Sequence, residues 1–286
     1  MTSDLLQSLF TGLALGALYS IVGIGFVIIY RVTGVANLTQ GALVVLGAYV
    51  MSTMLGFLPW VAAIVVSLVV TAIAAALVGL AVLTGRALSP HAPLIMTLGL
   101  AIASQGVFIL IWGDLPVSYP ALITDAIKVG GAFVLPQQLI LLGVVVVLFI
   151  LLHLFFSKSY LGKALTAAAL NPHAAQLVGV ELLKMGTIAF AVSGATAGLT
   201  GAIFGALVPV TPEAHIAIAI PGFAAAVIGK MQSPAITLVG GLVLGQVTSA
   251  VAVFGRPEYQ QAAALAVLIL VLLMRAALVR RGGELT

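Results

Sequence analysis

The 286-residue chain has no cysteine and very little charge, with Asp, Glu, Lys and Arg together making up 6% of it. Without cysteine, disulfides and thiolate metal sites are excluded. The scarcity of charge excludes a water-soluble domain, whose surface takes roughly a quarter of its residues as charged. Hydrophobic residues reach 63% and the mean hydropathy is +1.30. Lipid therefore surrounds most of the molecule, and the chain reads as an all-α polytopic membrane protein.

Catalytic patterns are missing as well. His91, His153, His173 and His215 share no metal-ligand spacing, and none has a carboxylate three or four residues away. Neither H-E-x-x-H nor G-x-S-x-G occurs. The nearest approach to a phosphate loop, GFAAAVIGKMQ, has glycines too far apart and Met231 where a hydroxyl would hold magnesium. No enzyme activity, metal site or cofactor is expected in this chain. Its basic residues are scattered instead of clustered, so nucleic-acid binding has no support.

What is present is a series of apolar windows near the ~20 residues that cross a bilayer. They cover about 8–30, 41–56, 60–84, 94–113, 136–156, 185–208, 216–230, 234–254 and 260–278, which predicts eight to nine transmembrane helices. With nine, one side collects Arg31, Arg86, Lys158, Lys163, Lys184, Lys230, Arg275, Arg280 and Arg281, while the other has only Lys128 and Arg256. Positive charge marks the cytoplasmic side. The N-terminus is thus expected outside and the C-terminus in the cytoplasm.

Two windows, 41–56 and 216–230, are short and edged by Pro, Gly or polar residues. They follow the first helix of each half, as broken helices do in inverted repeats. Between GLALGALYS (12–20) and GAIFGALVP (201–209), Gly, Gly, Ala and Leu recur at the same offsets. Gly12 and Gly16, Gly194 and Gly198, and Gly201 and Gly205 each lie four apart, leaving a flat strip on which backbones approach closely. Polar residues available to line a path are Asn37, Thr39, Gln40, Thr97 and Gln105, alongside Ser20, Ser104, Gln246 and Thr248. In helix bundles such groups serve more often as cross-helix bonds.

One stretch, 157–184, is too polar and alanine-rich to span and too ordered to be a linker. Leu161 to Leu170 predicts a short helix. Asn171 then caps a second, with Pro172 in its first position, and Gly179 is placed to end it in a left-handed conformation. Leu161, Leu165, Leu170, Leu177 and Val178 among the alanines give a surface more apolar than a solvated loop. Such a surface implies a docking partner.

GKALTAAALNPHAAQLVGV resembles the coupling loop of bacterial ABC importer permeases of the branched-chain amino acid type, whose pattern is G-x-A-L-x-A-x-x-x-N-P-x-A-A-x-L-x-G. GLALGALYSIVGIGFVIIYRVTGVANLTQGALVVLGAYV, LIMTLGLAI, PGFAAAVIG and GGLVLG extend the resemblance along nearly the whole chain. It implies one permease domain, 1–286, with ATPase-coupling helices at 157–184. The coupling residues would be Gly162, Lys163, Ala164, Leu165, Ala168, Asn171, Pro172, Ala174, Ala175, Leu177 and Gly179. The implied partners are a homologous second permease subunit, two cytosolic ATPases carrying ATP and magnesium, and a periplasmic or lipid-anchored solute-binding protein, to which Glu213 is assigned. The location implied is the bacterial inner membrane, and the cargo a branched-chain or other small amino acid.

Two departures bear on the cargo. Asn37-Leu38-Thr39-Gln40-Gly41 stands where the family has N-F-A-H-G, and Lys230 follows Gly229 where the family has a glycine pair. Urea, an amide or a small organic acid is the alternative cargo. A secondary transporter or channel is the competing class, but no Asp, Glu, Lys or Arg falls clearly mid-span to couple an ion.

Overall fold

A computed structural model describes residues 2–85, 92–123, 125–129 and 131–283. Arg86 and His91 lie outside the described residues, as do the side chains of Arg275, Arg280 and Arg281. Among the described residues eleven α-helices follow one another: α1 (Thr2–Thr33), α2 (Gln40–Leu55), α3 (Trp60–Gly85), α4 (Ala92–Trp112), α5 (Pro136–Lys158), α6 (Tyr160–Leu170), α7 (Pro172–Leu177), α8 (Leu182–Phe204), α9 (Ala214–Ile228), α10 (Pro234–Phe254) and α11 (Gln260–Gly283). Seven of these, α1, α3, α4, α5, α8, α10 and α11, are long and apolar enough to cross a membrane. The two expected short segments are α2 and α9, of 16 and 15 residues. Pro221 lies inside α9 instead of ending it.

The helices form a centre and a rim. In α1, 89% of the most apolar stretch is buried, against 22% in α3 and 6% in the last span. α1, α2, α8 and much of α9 make the core, where Tyr49, Phe26, Phe190 and Leu18 are fully enclosed. The rim turns Val65, Ile73, Leu110, Val147 and Leu273 outward. That is the surface lipid solvates.

Small residues determine which helices meet. On α3 the buried residues Ala63, Ser67, Thr71, Ala75 and Gly79 recur every fourth position. They form one stripe, since residues four apart share a helix face. Gly194 and Gly198 of α8 press on that stripe: a Cβ on Gly198 would meet Thr71 Oγ1 and lie 2.9 Å from the Ser67 carbonyl. α1 and α10 repeat the arrangement, with Gly16 placed so that a Cβ would lie 2.7 Å from Leu242 Cα. Both pairs are antiparallel. α2 packs on α8 as α9 packs on α1, and α2 meets α9 at their starts, where Gly41 abuts the His215 carbonyl.

Two interlocked halves, α1–α4 and α8–α11, result. Their register differs from the one suggested by sequence. By packing role Gly12 and Gly16 correspond to Gly194 and Gly198, not to Gly201 and Gly205. The latter two contact α2 and Tyr119 instead: a Cβ on Gly201 would meet the Val44 carbonyl, and one on Gly205 would lie 2.6 Å from Tyr119 Oη. Matching letters at matching offsets followed composition, whereas the partner stripe decides which glycines are equivalent.

Cross-helix hydrogen bonds fasten this packing. Ser20 donates to the Leu238 carbonyl (2.8 Å), Ser67 to Gly47 (2.8 Å), Ser249 to Ser8 (2.8 Å) and Gln246 to Leu9 (3.1 Å). Each contributes about 0.6 kcal/mol on average in a membrane bundle. Ser20 and Gln246 are therefore fasteners between α1 and α10.

Between α4 and α5 lies a hairpin that the apolar windows did not reveal: β1 (Ile127–Val129) pairs antiparallel with β2 (Ala132–Val134). Gln7 of α1 accepts from the Phe133 N–H (3.1 Å), tying the hairpin down.

The turn from α9 to α10 places Lys230 and Met231 at φ +58° and +55°. Side chains cost roughly 1–2 kcal/mol in this region. Lys230 is exposed. Lys230→Gly is expected to raise stability by about 0.5–1 kcal/mol, after subtracting the extra unfolded-state freedom of glycine. Thermal unfolding in detergent reads the shift, and an unchanged or lower midpoint refutes it.

Candidate functional site

Residues 157–184 fold as two short helices. Ser159 caps α6, accepting from the Gly162 N–H (2.9 Å). Asn171 is extended and its Oδ1 accepts from the Ala174 N–H (3.0 Å), so α7 starts at Pro172. At the far end Gly179 sits at φ +86°. Its N–H donates to Gln176 and that of Val180 to Ala175, both at 3.0 Å. This pair of bonds is a Schellman closure, and the left-handed residue in it favours glycine.

The coupling residues divide into two sets. Gly162, Leu165, Ala168 and Ala175 are buried. Leu165 and Ala168 join Ile24, Ile28, Met185 and Ala189 in one apolar cluster, and a Cβ on Gly162 would strike the Phe155 carbonyl. The expectation that Leu165 belongs to the exposed surface is thus corrected. Positions 162, 165 and 168 share the helix face turned to the bundle. Lys163, Asn171, Pro172, Ala174, Leu177 and Gly179 are exposed, and Ala164 is half-buried. Leu170, Leu177 and Val178, at 78%, 89% and 79% exposure, form the apolar tip. The pair is anchored to α1 and α8 on one face and uncovered on the other.

A second constellation surrounds the start of α2. Asn37, Thr39, Gln40 and Thr97 are all buried. Asn37 Oδ1 accepts from the Thr39 hydroxyl (2.6 Å), and Ser193 donates to Gln40 Oε1 (2.8 Å). Thr97 faces the Ala36 carbonyl at 3.4 Å. The amide Nδ2 of Asn37 is buried and has no hydrogen-bond partner among the described residues. Room for Gln40 comes from Gly25, where a Cβ would collide with the amide. Gln105 is half-buried about 12 Å further along α4 and stays outside the cluster.

Ser193 and His215 escaped sequence reading. Ser193 sits inside a run of small residues that gives no polar signal. His215 is only 3% exposed, with Nδ1 3.1 Å from the Pro212 carbonyl. Its position in the first turn of a short apolar helix was the available clue. Glu213 is exposed immediately before that helix. Among the described residues no group of three or more His, Asp or Glu side chains is arranged to hold a metal ion.

Interlocked apolar halves, a buried amide–hydroxyl cluster and an anchored but uncovered helix pair define a multi-pass membrane protein of the permease class. Residues 8–272 match the family described as the branched-chain amino acid transport system permease component, and the chain belongs to that family. It is 27% identical to the high-affinity branched-chain amino acid transport system permease protein LivH of Escherichia coli K12, covering 94% of this chain and 93% of that one. With the corresponding protein BraD of Pseudomonas aeruginosa the identity is 28%, over 94% of each chain. The probable branched-chain amino acid transport permease protein LivH of Methanocaldococcus jannaschii is 28% identical over 79% of this chain and 74% of its own length. No solved structure matches the chain.

Proposed function

We propose that the chain is the membrane-spanning subunit of an ATP-driven importer that carries a branched-chain or other small amino acid by alternating access. The observation that carries this reading is the α6–α7 pair. Its apolar tip is uncovered while its other face is locked to α1 and α8. A partner gripping Asn171, Pro172, Ala174 and Leu177 moves those two core helices directly.

Two cytosolic ATPases supply that grip, with ATP and magnesium bound to them and not to this chain. A second, homologous permease subunit completes the pathway, and a solute-binding protein delivers cargo to the face carrying Glu213. The excess of positive charge at one end supports a cytoplasmic α6–α7 pair and C-terminus and an outside N-terminus. The single permease domain sits in the bacterial inner membrane.

Asn37, Thr39, Gln40 and Thr97 are assigned to the translocation path, with Gln105 further along it. The unpartnered Nδ2 of Asn37 supports this, since a buried donor left unpaired costs about 1–3 kcal/mol. A passing solute offers it an acceptor. The cluster contains no ionised group, so it also suits urea or a simple amide, which is the second reading.

Gln40→Ala is expected to change uptake several-fold while leaving assembly with the ATPases intact. Radiolabelled solute uptake and co-purification measure the two separately. Unaltered uptake would return Gln40 to a purely structural role. The function itself is tested by reconstituting the subunits with the binding protein and ATPases in proteoliposomes. ATP-dependent accumulation of leucine supports it, and uptake driven only by an ion gradient sinks it.

A further inference from the structure

We propose that the cleft between α1, α5 and α10 is a binding site for an anionic phospholipid, with Arg31 holding its phosphate. The cleft encloses about 190 Å³. Its walls are Ile24, Ile28, Phe149, Leu152 and Phe156, closed by the first residues of α10, and Arg31 and His153 stand among them. Arg31 also lines a neighbouring cavity of about 610 Å³ beside Ala168 and His173, and a small one against Leu165 and Thr166. It is half-buried, and among the described residues it makes no hydrogen bond or ion pair.

A guanidinium has five donors in a fixed fork and stays charged. Set in a mostly apolar cleft, it calls for an anion, and phosphate fits the fork with two parallel bonds. A small soluble anion leaves the Phe149, Leu152 and Phe156 wall uncovered. A neutral apolar molecule leaves the guanidinium unmatched. A phospholipid satisfies both ends. The wall belongs to a spanning helix whose neighbouring residues Ile150, Leu151 and Leu154 face outward, so an acyl chain runs from the cleft into the bilayer. Lys163 and Lys230 are exposed at this end of the bundle and add positive charge there.

The site borders the anchored face of α6, because Arg31 and Phe156 also line the small cavity closed by Leu165. A bound lipid therefore braces the helix pair against α1. Only this consequence rests on the proposed function. Lipid binding itself does not.

The test is native mass spectrometry of the intact transporter complex in detergent, titrated with phosphatidylglycerol, phosphatidylcholine or glycerol phosphate. Phosphatidylglycerol is expected to be retained in preference to phosphatidylcholine, and Arg31→Gln to reduce that retention about tenfold. Leu152→Trp, which fills the apolar end and leaves Arg31 in place, should reduce it comparably. Lys158→Gln should not. Equal losses from Arg31→Gln and Lys158→Gln would reduce the effect to general surface charge and overturn the site. Glycerol phosphate competing as well as lipid, with Leu152→Trp silent, would replace the lipid by a soluble phosphate ester and also overturn it. Elution as an intact complex guards against misfolding in each variant. Full lipid retention by Arg31→Gln would overturn the site whatever its uptake, whereas a wild-type complex that retains the lipid but shows no ATP-dependent uptake would count against the transport reading alone.

Discussion

Gly198→Leu and Gly245→Leu are each expected to abolish the folded permease, whereas Gly99→Leu leaves it intact. The first two glycines sit where helix backbones touch. A Cβ on Gly198 would meet Thr71 and the Ser67 carbonyl, and one on Gly245 would meet the backbone of Gly16 and Gly12. Overpacking a core costs typically 1–3 kcal/mol when flexible side chains can yield. Here much of the obstacle is main chain, so whole helices must separate. The α3–α8 and α1–α10 contacts are the most extensive in the molecule, and separating them removes the fasteners from Ser67 and Ser20 as well. The loss should exceed that range and consume most of a stability of about 5–15 kcal/mol. Gly99 is exposed on α4, and a Cβ there meets nothing within 4 Å. Such a change stays within about 0.5 kcal/mol. Monodisperse yield and thermal unfolding in detergent distinguish the outcomes. A Gly198→Leu protein that melts with the wild type would show that the two halves are not held by these stripes.

Features encoded locally were legible in the sequence. Asn171-Pro172 specifies a helix start through one side-chain acceptor and one fixed φ, and Gly179 specifies a stop through one left-handed residue, so no knowledge of neighbours is needed. The two short helices were visible because length is a local property. Features that depend on partners were not. The helix α6 is almost uniformly small and apolar, which hides that Leu165 faces inward. The true repeat register depends on the α3 and α10 stripes lying opposite the glycines. The hairpin at 127–134 has strands of three residues each, too brief for alternation to register. The bond between Ser193 and Gln40 was not legible, because it joins two helices far apart in sequence.

Gly179→Val is expected to uncouple transport without unfolding the subunit. A Cβ at this position meets nothing within 4 Å, so the change introduces no clash. Its whole effect comes from φ +86°, which a β-branched residue avoids at a cost of roughly 1–2 kcal/mol. The Schellman bonds from Gly179 and Val180 then weaken, and α7 loses its fixed angle to α8. A penalty of that size depletes the docking geometry about five- to thirty-fold. The buried anchors Gly162, Leu165 and Ala168 are untouched, so the bundle stays folded. Uptake of labelled solute into proteoliposomes should fall about tenfold or more while basal ATP hydrolysis by the assembled complex persists. Asn tolerates the left-handed region, so Gly179→Asn should keep most of the uptake. Full uptake by the valine variant would remove α7 from the coupling mechanism. Equal failure of both variants would mean that the small size of Gly179, and not its conformation, is what the ATPase recognises.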